Sequence, residues 1–406
     1  MNVRWRIFTV LSFLYLLAYF YRVAMAVLAD DLTRELSITA VQLGTLSGAF
    51  FYAFALTQLP LGPLLDRYGG KRVVVITGAI TSLGVVTFAL SHSYPVAFFG
   101  RILLGIGSAS VLMGSLRIFT NWFDEQEFGR ISGFIIAVGN IGNLSATAPL
   151  AWASTHIGWR PTFAGIACMQ VLSLILAQHV VDERPLGSGT RQRHSVSALA
   201  GIKEVLTSPS YWYISFLAFS WYASYMAVQG LWGGPYLMEV IGLSKQGTGH
   251  ALLATSLGFL VGCLFVGEVT RRLFHSPKWT LFFGQLLLSL CMALFLGPFE
   301  HIPRPLVTPV FFVMGLAVSS GVAVYPLIRE SFPHAITGTA LTSVNFFILL
   351  GAATMQQIMG VIIGQFPKTL TGAYPAEAYH QAFMIPLVLL ASATLMFLGT
   401  RGRHTP

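Results

Sequence analysis

The chain has 406 residues, 55% of them hydrophobic and only 10% charged, with a formal net charge of +9. An average soluble domain is about 25% charged, so the composition excludes an ordinary water-soluble protein and describes one solvated largely by lipid. The basic excess forms no stripe or module of the kind that grips phosphates, which removes nucleic acid as a partner.

Apolar runs near the ~20 residues that cross a ~30 Å hydrocarbon core recur along the whole length. Hydropathy predicts twelve spans, at 6–28, 42–64, 73–91, 95–120, 129–153, 160–180, 211–236, 247–268, 278–297, 306–328, 336–364 and 381–399. The first run is too long for a signal-peptide core and lacks a small-residue cleavage site, so it reads as helix 1 and no cleaved leader is expected. An even number of spans puts both termini on one side, and Lys and Arg choose that side. Of the 24, seventeen fall in inner loops and termini if the N-terminus is cytoplasmic, five fall in outer loops, and two, Arg22 and Arg101, lie within spans. This is the positive-inside asymmetry, and it predicts a bacterial cytoplasmic (inner) membrane protein with both ends inside.

Polar residues within the spans follow helical spacing. Helix 1 places Ser12, Tyr15, Tyr19 and Arg22 at i, i+3, i+7 and i+10, on one face. Helix 5 carries Asn140, Asn143 and Thr147; helix 7 carries Tyr222, Tyr225, Gln229 and Trp232; helix 11 carries Thr342, Asn345 and Gln356. Helices 2, 8 and 10 add Tyr52, His250 and Tyr325. A polar stripe facing lipid is costly, so these faces are expected to line a cavity that holds substrate. The competing role is helix–helix hydrogen bonding, which Ser, Thr and Asn commonly serve. Gly233-Gly234-Pro235 is expected to break or bend helix 7 near its outer end.

The two intramembrane cations stand out. With helix 1 ending near Ala29, Arg22 lies roughly 10 Å before its end. It can act as a forked donor to carboxylate, phosphate or sulfonate, or it can snorkel to the outer interface or pair with Asp30 or Asp31. Arg101 follows Pro95 by six residues and is either a coupling group or an anchor to the outer interface.

Between spans 2 and 3, Gly62–Val73 reads G-P-L-L-D-R-Y-G-G-K-R-V. Asp66 and Arg67 can neutralise helix ends, Gly69 and Gly70 permit a reversal, and Lys71 and Arg72 mark the cytoplasmic side. The segment resembles the loop 2–3 motif of the major facilitator superfamily, G-x-L-x-D-R-x-G-R-K-x, with Gly70 where the family often has Arg. The resemblance implies an all-α membrane fold of twelve helices in two pseudo-symmetric six-helix bundles, with a substrate site between them at mid-membrane. It implies a gating role for Gly62, Asp66, Arg67, Gly69, Lys71 and Arg72, with Asp66 latching the halves by facing the end of helix 11. Gly267-Glu268-Val269-Thr270-Arg271-Arg272 after helix 8 is a weaker echo lacking the Asp.

Further resemblances narrow the group. Tyr21-Arg22-Val23, Gln42-Leu43-Gly44 and Phe50-Phe51-Tyr52 resemble the start of anion:cation symporters and organophosphate antiporters, in which an Arg of helix 1 contacts the substrate anion. This chain has Tyr21 where an Asp often precedes that Arg, and no helix 7 Arg. Arg101, Gly105 and Gly107 resemble the helix 4 motif R-x-x-x-G-x-G associated with proton coupling. Gly139-x-x-Gly142-Asn143 with Pro149 loosely resembles helix 5 of drug/proton antiporters.

The polar stretch 182–208 reads as a cytoplasmic linker between an N-terminal bundle, 1–181, and a C-terminal bundle, 209–406. None of the 15 carboxylates lies in mid-span, so coupling would fall to the substrate anion, to Asp30, Asp31 or Glu268 at helix ends, or to His250. Cys168, Cys263 and Cys291 fall within spans at separations that fit no metal pattern. No phosphate-binding G-x-x-x-x-G-K-[ST] loop, H-E-x-x-H or nucleophile pattern occurs, so a pump, a metalloenzyme, a cofactor and a metal are not expected.

The resulting expectation is a monomeric secondary transporter, not an enzyme. It would move a small anionic or zwitterionic organic solute by alternating access, coupled to a proton, to sodium, by exchange, or uncoupled. The alternatives are an exporter of the same fold and a transporter-like sensor without net transport.

Overall fold

A computed structural model describes residues 3–183 and 205–399. Residues 184–204 of the expected linker, with its Arg-rich core, lie outside the described residues. The described chain is helical throughout, with no strand among these residues. It divides into two compact units, 3–183 together with Leu243–Gly249, and 205–242 together with 250–399.

In the first unit, α1 runs Val3–Glu35, α2 Ala40–Tyr68, α3 Gly70–Ala89, α4 Tyr94–Ser108, α5 Val111–Trp122, α6 Glu125–Ser145, α7 Ala148–His156 and α8 Trp159–Val180. The boundaries follow local chemistry. Thr39 and Gln42 form a reciprocal capping box that starts α2. Asp124 accepts the Glu127 N–H at the start of α6. Gly69 alone separates α2 from α3, at φ 82°, a left-handed value that a residue with a Cβ adopts only with strain. The expected reversal is therefore made by Gly69, while Gly70 is already helical.

In the second unit, α9 is Pro209–Met226, α10 Gly233–Glu239, α11 Lys245–Val269 (its residues up to Gly249 belonging to the first unit), α12 Pro277–Ala293, α13 Arg304–Ser319, α14 Val324–Ser331, α15 His334–Ile363 and α16 Ala376–Leu398. A π-turn, Ala227–Trp232, joins α9 to α10. Helix 7 is thus irregular one turn earlier than expected, and Gly233-Gly234-Pro235 is helical. A Pro lacking its N–H is accommodated because the wider turn before it has already shifted the ladder.

Ten helices among the described residues are long and apolar enough to cross a membrane, or eleven with the pair Gln126–Ser145 and Ala148–His156, bent by 40°, as one span. The remaining predicted span is the interrupted stretch α9–π–α10. Its first 18 residues include six Tyr or Trp, which depress hydropathy without preventing burial. Twelve membrane helices result.

Candidate functional site

The first unit gathers the helix 1 stripe into a wall. Tyr15 is buried, while Tyr19 and Arg22 are half-buried. The Tyr15 and Tyr19 rings meet edge to face at 4.7 Å. The Arg22 guanidinium carbon lies 4.3 Å from the Tyr19 ring centroid and 4.7 Å from that of Phe54 on α2, within the range of cation–π attraction. Phe54 was not foreseen, because one Phe in a run of apolar residues carries no signal for such a contact.

Arg22 also lies farther from the end of its helix than the sequence suggested. The helix does not end at Ala29; α1 continues to Glu35, so thirteen residues, about 20 Å, separate Arg22 from its end. The acidic pair that looked like a terminus is accommodated within the helix: Asp31, 8% exposed, pairs with both Lys245 and Arg34.

Helix α6 lies directly on this stripe because of two glycines. A Cβ at Gly139 would come within 2.6 Å of the Tyr15 ring, and one at Gly142 would collide with the backbone carbonyl of Leu16. Both neighbouring amides are buried. Asn140 donates to Ile136 O, whereas Asn143 Oδ1 has no hydrogen-bond donor among the described residues. The chain breaks just beyond, where the Ala146 N–H turns back on the carbonyls of Gly142, Asn143 and Leu144. Tyr52, on the same helix as Phe54, is half-buried. Arg22, Tyr15 and Tyr19 are thus brought together, with α6 and its two amides against them.

The second unit divides its candidates. Tyr222 is half-buried and its ring lies 5.9 Å from that of Tyr225, which is buried and stacks on Phe259 at 5.7 Å. Asn345 is half-buried on α15, and His250 is exposed near the start of α11. Gln229 and Trp232 were expected to bind substrate, but the structure places them in helix packing. Gln229 is fully buried and donates to Leu252 O and Ser256 Oγ of α11; Trp232, 1% exposed, donates to Gln356 O of α15. A fully desolvated N–H has to be satisfied locally, and helical periodicity alone does not separate that role from substrate contact.

Arg101 is not an interface anchor. It is 2% exposed and donates to three backbone carbonyls, Leu46 O, Tyr21 O and Ser47 O, while lying over the Phe50 ring at 4.8 Å. It ties α4 to α1 and α2. The glycines that come after it serve the same packing: a Cβ at Gly105 would approach Ala53 Cβ to 2.9 Å, and one at Gly107 would collide with Thr81.

At the α2–α3 turn, the Asp66 carboxylate accepts from Arg117 at 2.6 Å within its own unit, Arg67 lies over the Tyr68 ring, and Gly62 and Arg72 are exposed. The Lys71 backbone N–H donates to Glu183 Oε1 at 2.8 Å, and Trp122 Nε1 donates to Asp182 O. A Cβ at Gly69 would fall 2.7 Å from Glu183 Oε1, and one at Gly70 would fall 2.9 Å from Gly114 O. The glycine that departs from the family motif is therefore one that this close approach requires. Of the carboxylates suggested for coupling, Asp31 is held by Lys245 and Arg34, and Glu268 pairs with Arg271 and Arg272.

Comparisons with known proteins identify the family. The family profile of the Major Facilitator Superfamily matches residues 11–355. The chain is 28% identical over 277 residues to the "Probable L-galactonate transporter" of Escherichia coli (strain K12), covering 64% of this chain and 60% of that one. It is 21% identical over 395 residues to the "Probable sulfoacetate transporter SauU" of Cupriavidus necator, covering 93% and 82% respectively. Some curated relatives are spanned over as little as 40% of their length. A bacterial homologue of the human lysosomal transporter Spinster, solved inward-facing and unoccupied, superposes with a TM-score of 0.81 at 18% identity over 98% of this chain and 96% of that one. With the family profile matched over most of its length, the chain belongs to the Major Facilitator Superfamily.

Proposed function

We propose that this chain moves a small organic anion across the bacterial inner membrane as a secondary transporter, and that Arg22 takes the anion. The observation that carries this reading is the placement of Arg22: a guanidinium about 20 Å from the end of a 33-residue helix, half-buried against the Tyr19 and Phe54 rings. The aromatic faces hold the plane of the fork, and its edge donors suit a carboxylate or sulfonate bidentately. Tyr52 and Asn143 supply hydroxyl and amide groups for the rest of the solute; in the second unit Tyr222, Tyr225 and Asn345 are assigned the same role.

Alternating exposure of the site to the two membrane faces, with both termini cytoplasmic, completes the proposal, and Asp66 with its glycine turn is the element assigned to gating. The similarity to proteins described as L-galactonate and sulfoacetate transporters supports an organic acid as cargo and supplies the probes. Purified protein in liposomes is expected to show saturable uptake or counterflow of labelled L-galactonate or sulfoacetate. Arg22→Lys keeps the charge but loses the fork, so the apparent KM rises about ten- to hundredfold, the equivalent of a charge-assisted hydrogen bond. Arg22→Ala abolishes saturable transport, and a neutral amide analogue competes poorly. A near-normal Lys variant, with acid and amide competing equally, would move Arg22 out of the binding site.

A further inference from the structure

Helix 7 is clasped at its π-turn by one residue of α15. Gln356 is fully buried, and its Nε2 donates at 3.1 Å to the carbonyl of Met226, the last residue of α9. In return, Trp232 at the far end of the turn donates its indole N–H at 2.9 Å to the Gln356 backbone carbonyl. The turn has been shaped around this amide: a Cβ at Gly230 would fall on Gln356 Nε2. The wide register is visible at Gly233, whose N–H reaches Val228 O five residues back, and where a Cβ would press within 2.7 Å of the Val228 side chain.

One extra residue per turn has a geometric consequence. Successive residues on an α-helix are about 100° apart, so absorbing the π-turn into regular helix rotates α9 by roughly that angle against α10. Both sides of the turn are held by their neighbours. On α10, Tyr236 is packed among the rings of Phe295, Tyr379 and Phe383, and Glu239 accepts from the Tyr374 N–H and the Tyr379 hydroxyl. On α9, Tyr211 donates to Ser343 Oγ, Trp221 Nε1 to Val318 O and Ser224 Oγ to Pro386 O. The π-turn therefore fixes the rotation of α9, which carries Tyr222 and Tyr225, relative to α10.

We infer that Gln356 is a positioning residue: by holding the Ala227–Trp232 π-turn in register, it sets the direction in which helix 7 presents Tyr222 and Tyr225. Their role toward substrate rests on the function proposed above; the clasp itself does not, and its test needs no substrate.

Amide hydrogen exchange on the purified full-length protein reads the clasp directly. Gln356→Met keeps the volume and removes the donor, and Trp232→Phe keeps an aromatic ring, though a smaller one, and removes the indole N–H. Each is expected to raise exchange in peptides covering 227–233 by about tenfold while peptides of α1–α8 keep their rates. Gly230→Ala, which displaces the amide, gives the same pattern. Gln356→Glu supplies the discriminating readout, since a carboxyl group donates only when protonated. After correction for intrinsic exchange, protection of 227–233 in this variant should fall as the pH rises through the titration of that carboxyl, whereas the parent shows no such step. Unchanged exchange at 227–233 in the Met and Phe variants would overturn the assignment, whatever the protein is found to carry.

Discussion

Helix α6 contains four glycines, and the structure assigns them opposite consequences for the same substitution. At Gly129 and Gly133 an added Cβ meets nothing within 4 Å. At Gly142 it would lie 2.9 Å from the Leu16 carbonyl carbon and 3.1 Å from Tyr19 Cβ, against an optimum of about 3.5–4.0 Å for carbon pairs. Gly142→Ala therefore has to push α1 and α6 apart by roughly half an ångström or more. The obstacle is backbone, so no rotamer change relieves it. Overpacking of this kind costs about 1–3 kcal/mol, whereas Gly→Ala at an unobstructed helical site gains about 0.5–1 kcal/mol. Gly142→Ala and Gly133→Ala should then lie on opposite sides of the parent protein and differ by about 1.5–4 kcal/mol. Thermal unfolding of the three proteins in one detergent, followed by tryptophan fluorescence, measures the order. The displacement also moves Tyr19, and through it the support of Arg22, so Gly142→Ala should weaken anion binding where Gly133→Ala does not. If the two variants melt together, α1 and α6 do not touch at Gly142.

Three further substitutions test other contacts. Asp31→Asn leaves Lys245, whose side chain is 16% exposed, without its carboxylate and should cost about 3 kcal/mol. The double variant with Lys245→Met should melt nearer the parent, and a double variant no more stable than the single one would refute the pairing. Arg101→Lys gathers on one nitrogen the donors that Arg101 spreads over Nε, Nη1 and Nη2 to carbonyls of two helices, so a fall in melting temperature is expected, with KM unchanged in the surviving protein; a proton-coupling defect in a fully stable variant would contradict this assignment. Glu183→Gln weakens the anionic cap on the α3 N-terminus by about 1 kcal/mol, seen as a lower melting temperature and a gap from the parent that added salt narrows; a Gln variant as stable as the parent would rule out the cap.

Much of the fold was legible because lipid imposes one rule, roughly twenty apolar residues per crossing, and hydropathy reads that rule directly. It reads less well where burial is achieved with Tyr and Trp, as in α9. The end of helix 1 was misjudged because Asp30 and Asp31 look like a terminus; the cation that makes Asp31 tolerable, Lys245, lies 214 positions away in the chain. The same limit governs the site. Periodicity found the face shared by Tyr15, Tyr19 and Arg22, but could not show that the Gln229 amide N–H and the Trp232 indole N–H are taken up by neighbouring helices. Nor could it show that Arg101 is satisfied by carbonyls, since every backbone offers them.

The reach of Glu183 across 112 positions to the Lys71 N–H bears on how the protein can be divided. Hydropathy alone invites a cut after Val181, where the last helix of the first half has ended. A fragment cut there would lose the carboxylate seated over Gly69 and Gly70, and with it the Asp182 carbonyl that holds Trp122. Two-piece expression, protease-site insertion or grafting of a fluorescent domain should therefore leave Asp182 and Glu183 attached to the first half.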